Sequence, residues 1–159
     1  MRKKVRVLGV GSPSGDDQAG WLTVDILWAA RLPAAADVII EKLDRPGASL
    51  IPLLQDASWV ILVDAMLGGG APGRVSRFDA HDWNGYRHGL SGHGFGVRDA
   101  LALAQALDCL PPRLDVYGIE IAAAAPGGAP GAAVQAAARQ VAQAIAARLQ
   151  RLRGPRAAA

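Results

Sequence analysis

The sequence predicts an α/β fold, a three-layer α/β/α sandwich with a mostly parallel five-stranded sheet and one antiparallel strand. Short apolar runs alternate along the chain with segments of helical periodicity, and glycine and proline mark the turns between them. The right-handed crossover rule places the connecting helices on both faces of the sheet. With 159 residues, of which 51% are hydrophobic and 19% charged, the chain is long enough for one domain with a buried core.

The first strand and helix are predicted on either side of a turn-rich loop. Residues 5–10 are an apolar run that ends at glycines, and they are predicted to form a short buried strand. The loop GSPSGDDQAG follows, and a helix with one apolar face begins at about Asp17. Asp16 has the residue type of an N-cap for this helix, and Pro33 ends it.

The next segments predict two more strands with a short helix between them. Residues 38–43 form the second strand, residues 44–47 a turn, and residues 49–55 a short helix. Residues 58–63 (SWVILV) are the most apolar run, which is typical of a central strand buried on both faces. Asp64 follows directly, before a loop with four glycines.

The second half of the chain completes the predicted sheet. Residues 74–78 form a strand too close to its predecessor for a helical crossover, so we expect it to be antiparallel. A helix over residues 95–107 ends before Pro111-Pro112. Residues 114–121 (LDVYGIEI) form the last strand, and an Ala-rich helix over residues 132–152 closes the fold.

The composition and charge of the chain argue against a nucleic-acid-binding, membrane-spanning or disulfide-bonded protein. The formal net charge is +3, and the basic residues concentrate at the two ends, so solvated termini are favoured over a nucleic-acid-binding surface. No apolar stretch is long enough to span a membrane, and a single cysteine, Cys109, excludes an intrachain disulfide. We therefore expect a cytoplasmic monomer with one domain over residues 1–153 and a disordered tail over residues 154–159.

Asp17, Asp64 and His93 are the candidate functional residues. Each lies just after a predicted strand or in a Gly-rich loop before a helix. Because the carboxyl ends of parallel strands share one edge of the sheet, these three residues are expected to meet there. Two carboxylates and an imidazole suit a divalent metal ion or general acid/base catalysis, and the residue types leave both uses open.

The glycines after the first strand also suggest a small nucleotide-binding module. However, their spacing does not give G-x-G-x-x-G, and no lysine follows as in a Walker A loop. Asp16 and Asp17 place negative charge at the helix N-terminus, where it would repel a pyrophosphate. The chain also contains neither G-x-S-x-G nor H-E-x-x-H.

Four segments together resemble the hydrogenase maturation protease family, the endopeptidases that process the large subunit of nickel–iron hydrogenases. The match runs from the first strand to the terminal helix, and the segments that carry it are VLGVGSPSGDDQAG, VDAMLGGGAPGRVSRFD, SGHGFGVRDALALAQAL and LPPRLDVYGIEI. The resemblance implies that Asp17, Asp64 and His93 are the metal-contacting residues, with Asp17 and Asp64 also carrying catalysis. It further implies that the nickel is no resident cofactor but arrives bound to the large-subunit precursor, whose C-terminal extension is then removed.

Three positions depart from the family pattern. Ser12 stands where the family usually has asparagine, residues 44–47 replace a Gly-Thr segment, and Ile121 replaces a proline. The second departure affects how the substrate is held, and none alters the three implied ligands. The resemblance leaves open whether the nickel is catalytic or only positions the substrate, and a non-catalytic adaptor that binds the nickel-loaded subunit stays an alternative.

Overall fold

A five-stranded sheet lies between two pairs of helices. The computed structural model of the chain describes residues 4–32, 37–79, 82, 96–122 and 128–152. In chain order the elements are β1 (Val5–Gly11), α1 (Ala19–Ala29), β2 (Val38–Asp44), α2 (Leu50–Gln55), β3 (Trp59–Met66), β4 (Val75–Asp79), α3 (Val97–Ala106), β5 (Arg113–Glu120) and α4 (Ala132–Arg151). The predicted tail at residues 154–159 lies outside the described residues.

The sheet has the order β2-β1-β3-β5-β4. All neighbouring strands are parallel except β4, which pairs antiparallel with β5. This confirms the predicted sheet with its single antiparallel strand. Every residue of β1 and β3 is buried, as their predominantly apolar sequences indicate for strands that are covered on both faces.

The two faces of the sheet carry separate cores. Helices α1 and α4 contact each other and cover one face, whereas α2 and α3 contact each other and cover the opposite face. Alternate residues of β3 follow this division: Val63 and Ala65 belong to the α1/α4 core, and Leu62 and Met66 to the α2/α3 core. The three-layer α/β/α prediction is therefore confirmed. In the described ranges, no helix is both long and apolar enough to cross a membrane.

Strand β3 extends further than the sequence pattern predicts. The predicted strand ended at residue 63, with Asp64 just beyond it, but β3 continues to Met66. Ala65 and Met66 pair with Ile119 and Glu120 of β5, so the hydrogen-bonded ladder carries the aspartate inside the strand. By the alternation of side chains, Asp64 lies on the α2/α3 side of the sheet.

The loop after β1 also differs from the prediction. Asp16 and Asp17 lie in a 3-10 turn, Gly15–Gln18, and α1 begins only at Ala19. Asp16 does not cap α1: its Oδ1 accepts a hydrogen bond from the backbone N–H of Gly131 at 2.7 Å, next to the start of α4. Asp16 therefore makes a structural contact near the start of α4, whereas Asp17 lines the pocket described below.

Glycine is required where α1 crosses β1. A Cβ atom at Gly20 would clash with the carbonyl oxygen of Val10 and would lie 2.5 Å from that of Val63. A Cβ at Gly9 would likewise clash with the carbonyl oxygen of Gly20. The helix therefore packs directly on the strand backbones, which fixes the loop between them.

A buried aspartate organises the amino-terminal end of β5. Asp115 is 2% exposed, and its Oδ2 accepts a hydrogen bond from Nε1 of Trp59 at 2.7 Å. Arg148 of α4 lies 3.1 Å from the same oxygen, and the half-exposed side chains of Arg77 and Arg113 lie 3.4 and 3.8 Å from the carboxylate. This network joins β3, β4, β5 and α4 at the amino-terminal part of β5, away from the carboxyl ends of the strands.

Candidate functional site

A small pocket lies at the carboxyl ends of β1 and β3, on the α2/α3 side of the sheet. It has a volume of about 40 Å³. Asp17 from the first loop and Asp64 from β3 both line it, together with Arg45 from the turn after β2 and Gly96 at the start of α3. The parallel arrangement of β1, β2 and β3 brings these separate segments to one edge of the sheet.

Asp64 is the most buried charged residue of the pocket, with 1% of its surface exposed. Its Oδ1 accepts a hydrogen bond from the backbone N–H of Ala65 at 2.9 Å, whereas its Oδ2 is buried without a hydrogen-bond partner. Burial, and secondly the negative charge of Asp17, raise the pKa of the Asp64 carboxyl from 3.8 to about 8, against the opposing effect of the Ala65 N–H. In the metal-free protein this carboxyl therefore holds a proton at neutral pH.

Asp17 is held from the side of the first loop. The buried Ser12 hydroxyl donates a hydrogen bond to Oδ2 of Asp17, and the Ser12 N–H donates to the Asp17 carbonyl oxygen at 3.4 Å. Gly11 allows this close approach, since a Cβ there would lie 2.6 Å from the same carbonyl oxygen. One carboxylate oxygen is thus fixed by Ser12, which orients the side chain at the pocket.

Arg45 is a pocket residue that the sequence analysis did not single out. Its backbone has a positive φ of 42°, and its N–H donates to the carbonyl oxygen of Gly11 at 3.1 Å. Its Nε donates to Oδ1 of Asp44 at 2.8 Å, and its side chain is 71% exposed. The bond to Asp44, and more weakly the charge of Asp17, raise the pKa of the guanidinium group. In the sequence, only the departure from the family pattern at residues 44–47 pointed to Arg45 as a site residue.

Comparison with known proteins decides the family. The family model of hydrogenase maturation proteases, HycI, matches residues 46–148. The chain belongs to the hydrogenase maturation protease family. It is accordingly a peptidase of that family, and the resemblance found in its sequence motifs is confirmed.

Solved structures of this family share the fold. The hydrogenase maturating endopeptidase HybD from E. coli superposes with a TM-score of 0.80 at 22% identity, over 93% of each chain. A NiFe hydrogenase maturation protease, HycI from Thermococcus kodakarensis KOD1, gives a TM-score of 0.73 at 21% identity, also over 93% of each chain. The hydrogenase 2 maturation peptidase from a Thaumarchaeota archaeon gives 0.68 at 25% identity, over 92% of this chain and 98% of that chain. The comparison with curated protein sequences gave no significant match.

The structure of this maturation protease brings two of the three predicted site residues together. Asp17 and Asp64 line the same pocket, whereas His93 lies outside the described residues, as do His81 and His88. Among the residues that the structure describes, no three His, Cys, Asp or Glu side chains form a cluster that could hold a metal ion. The described part of the pocket therefore supplies two carboxylates, and the histidine ligand stays a prediction.

Proposed function

We propose that this protein is the endopeptidase that removes the C-terminal extension of a nickel–iron hydrogenase large-subunit precursor after nickel insertion. In this proposal Asp17, Asp64 and His93 recognise the nickel that the precursor carries. The observation that supports it best is the Oδ2 atom of Asp64, which is buried without a hydrogen-bond partner beside a second carboxylate. Such an atom is unfavourable unless it holds a proton or contacts a cation.

The dimensions and the charge of the pocket fit a metal ion. A volume of about 40 Å³ accommodates an ion with a water molecule, whereas drug- or cofactor-sized ligands need several hundred Å³. The negative charge of Asp17 would also repel the phosphates of a nucleotide, which disfavours the nucleotide-binding alternative. Nickel accepts oxygen, nitrogen and sulfur ligands together, so carboxylates of the protease and cysteine thiolates of the precursor can share it. The nickel is part of the substrate.

His93, which is identified from the sequence alone, is the third proposed nickel ligand. It precedes Gly96, which lines the pocket, by three residues. A neutral imidazole is a common nickel ligand, and two carboxylates with one imidazole would leave coordination positions for the ligands of the precursor. Nickel must also displace the proton of Asp64, so recognition is expected to weaken as the pH falls below about 8.

Peptide hydrolysis at this site is proposed to use water as the nucleophile. None of the described pocket-lining residues has a hydroxyl or thiol side chain. The oxygen of a water molecule would add to the scissile carbonyl carbon while its proton passes to a carboxylate, for which Asp17 is oriented by Ser12. The leaving amine would take up a proton as the C–N bond breaks. Asp17 is thus the proposed base, and Asp64 the proposed partner in proton transfer.

We expect the protease to be a cytoplasmic monomer whose partner is the large-subunit precursor. The solved structures similar to this chain carry names such as hydrogenase maturating endopeptidase and hydrogenase 2 maturation peptidase. The non-catalytic adaptor is the second candidate, and it predicts a stable complex with the nickel-loaded precursor without any cleavage. Cleavage of the precursor therefore distinguishes an endopeptidase from an adaptor.

The experiment incubates the nickel-loaded precursor encoded in the same genome with the purified protein and follows the precursor's mass. The Asp17→Asn, Asp64→Asn and His93→Ala variants are each expected to abolish release of the C-terminal peptide. Asp16→Asn is the matched control, because it removes the same charge one residue away while its Oδ1 can still accept the Gly131 N–H. Normal cleavage by any two of the three site variants would contradict the proposed clamp.

A further inference from the structure

Arg45, which forms an ion pair with Asp44, is a cationic residue among those that line the acidic pocket. We propose that its guanidinium group is a specificity-determining element that disfavours a free divalent cation at Asp17 and Asp64 and favours nickel that is already bound by thiolates. This inference rests on the proposed function, in which nickel arrives with the precursor. It concerns the chain's own charges and is tested without any cleavage reaction.

Placement is the first line of support. Arg45 lines the same pocket as Asp17 and Asp64, and the negative charge of Asp17 acts on its guanidinium group. Its Nε donates a hydrogen bond to Oδ1 of Asp44 at 2.8 Å, and its side chain is 71% exposed. A cation entering from solvent would therefore meet a like charge beside the two carboxylates.

The backbone of the turn is the second line of support. Arg45 has a φ of 42° and Gly47 a φ of 53°, so two left-handed residues flank Pro46. Glycine adopts such a conformation without strain, whereas an arginine there is disfavoured unless the surroundings impose it. The hydrogen bond from the Arg45 N–H to the Gly11 carbonyl ties this residue to the end of β1. An arginine is thus held at the pocket in a conformation that favours glycine.

The sign of the electrostatic interaction depends on the form in which nickel arrives. A free Ni²⁺ ion carries two positive charges and is repelled by the guanidinium group. Nickel bound by two or more thiolates is neutral or anionic, so the same guanidinium group attracts it or leaves it undisturbed. Arg45 would therefore disfavour adventitious metal ions and favour the loaded precursor.

Calorimetric titration of the purified full-length protein with NiCl₂ tests the first half of the proposal. Arg45→Gln is expected to bind free Ni²⁺ on the order of tenfold more tightly than the wild type, because the repulsive charge is gone. Arg45→Lys should retain weak binding. Arg31→Gln is the matched control, since Arg31 is also an exposed arginine at a positive φ, 44°, but does not line the pocket.

The second half is tested with nickel bound to a synthetic peptide that carries two cysteines. The Arg45→Gln variant is expected to bind this complex no more tightly than the wild type, so that the preference for the thiolate-bound form falls about tenfold. An unchanged affinity for free Ni²⁺ would overturn the proposal. An equal gain for both nickel forms, or the same gain in Arg31→Gln, would also overturn it. Failure of the wild type to cleave precursor would contradict the proposed function while leaving these titrations interpretable.

Discussion

Replacing Asp64 by asparagine should remove a large part of the pH dependence of folding stability. The pKa of Asp64 is raised from 3.8 to about 8 in the folded protein, first by burial and then by Asp17. The folded state therefore binds this proton more tightly than the unfolded chain does. The resulting stabilisation is complete below about pH 4 and is lost as the pH rises to about 8.

The size of the effect follows from the width of this pH window. Each pH unit between the two pKa values lowers the free energy of unfolding by about 1.4 kcal/mol, so the full window corresponds to about 5–6 kcal/mol. Asparagine has a similar shape and cannot ionise, so the Asp64→Asn variant lacks this contribution. The stability of the variant relative to the wild type should therefore increase by about 1.4 kcal/mol for each unit of pH between 5 and 8.

Urea denaturation of the metal-free proteins, in the presence of a chelator and at half-unit steps from pH 5 to pH 9, measures this difference directly. Asp16→Asn is the control, because Asp16 contacts the Gly131 N–H rather than lining the pocket. Its stability curve should stay parallel to that of the wild type. Parallel curves for Asp64→Asn and the wild type would refute the reasoning, because they would show that Asp64 is ionised in the folded protein at neutral pH.

Three further substitutions test other contacts. Ser12→Ala should lower the rate of precursor cleavage about tenfold, because the hydrogen bond to Asp17 is lost, and Ser12→Thr should restore the rate. Equal cleavage rates for the two variants would contradict the role of the Ser12 hydroxyl in orienting Asp17. Asp115→Ala should reduce the free energy of unfolding by about 3–5 kcal/mol, since it leaves the largely buried Arg148 without its carboxylate, and a urea titration measures the loss. Gly20→Ala should destabilise by about 2–3 kcal/mol because its methyl group overlaps backbone carbonyl oxygens; an unchanged urea midpoint would show that α1 can move away from β1.

Much of the fold could be predicted because its sequence signals are local. The apolar runs, the glycine and proline turns and the short connection before residues 74–78 gave the strands, the helices and the antiparallel position of β4. The errors occurred where tertiary pairing overrides a local pattern. Strand β3 continues past Asp64 because β5 offers a pairing partner, and Asp16 serves the start of α4 because the fold brings the first loop there.

The acidic half of the site was also predictable, whereas its cationic half was not. Asp17 and Asp64 could be paired from sequence because the carboxyl ends of parallel strands share one edge of the sheet. The role of Arg45 depends on the parallel pairing of β2 with β1 and on a left-handed turn held by Gly11. Neither feature is visible in the run Asp-Arg-Pro-Gly by itself. The raised pKa of Asp64 similarly depends on how deeply the fold buries it.

We propose that this protease recognises nickel in its substrate through the acidic pocket. The most direct measurement is the mass of the large-subunit precursor after incubation with the wild-type protein, with the precursor either loaded with nickel or free of it. If nickel is recognised in this way, only the nickel-loaded precursor should lose a C-terminal peptide. Equal cleavage of both precursors would contradict nickel recognition, and a stable complex with the loaded precursor without cleavage would identify an adaptor instead.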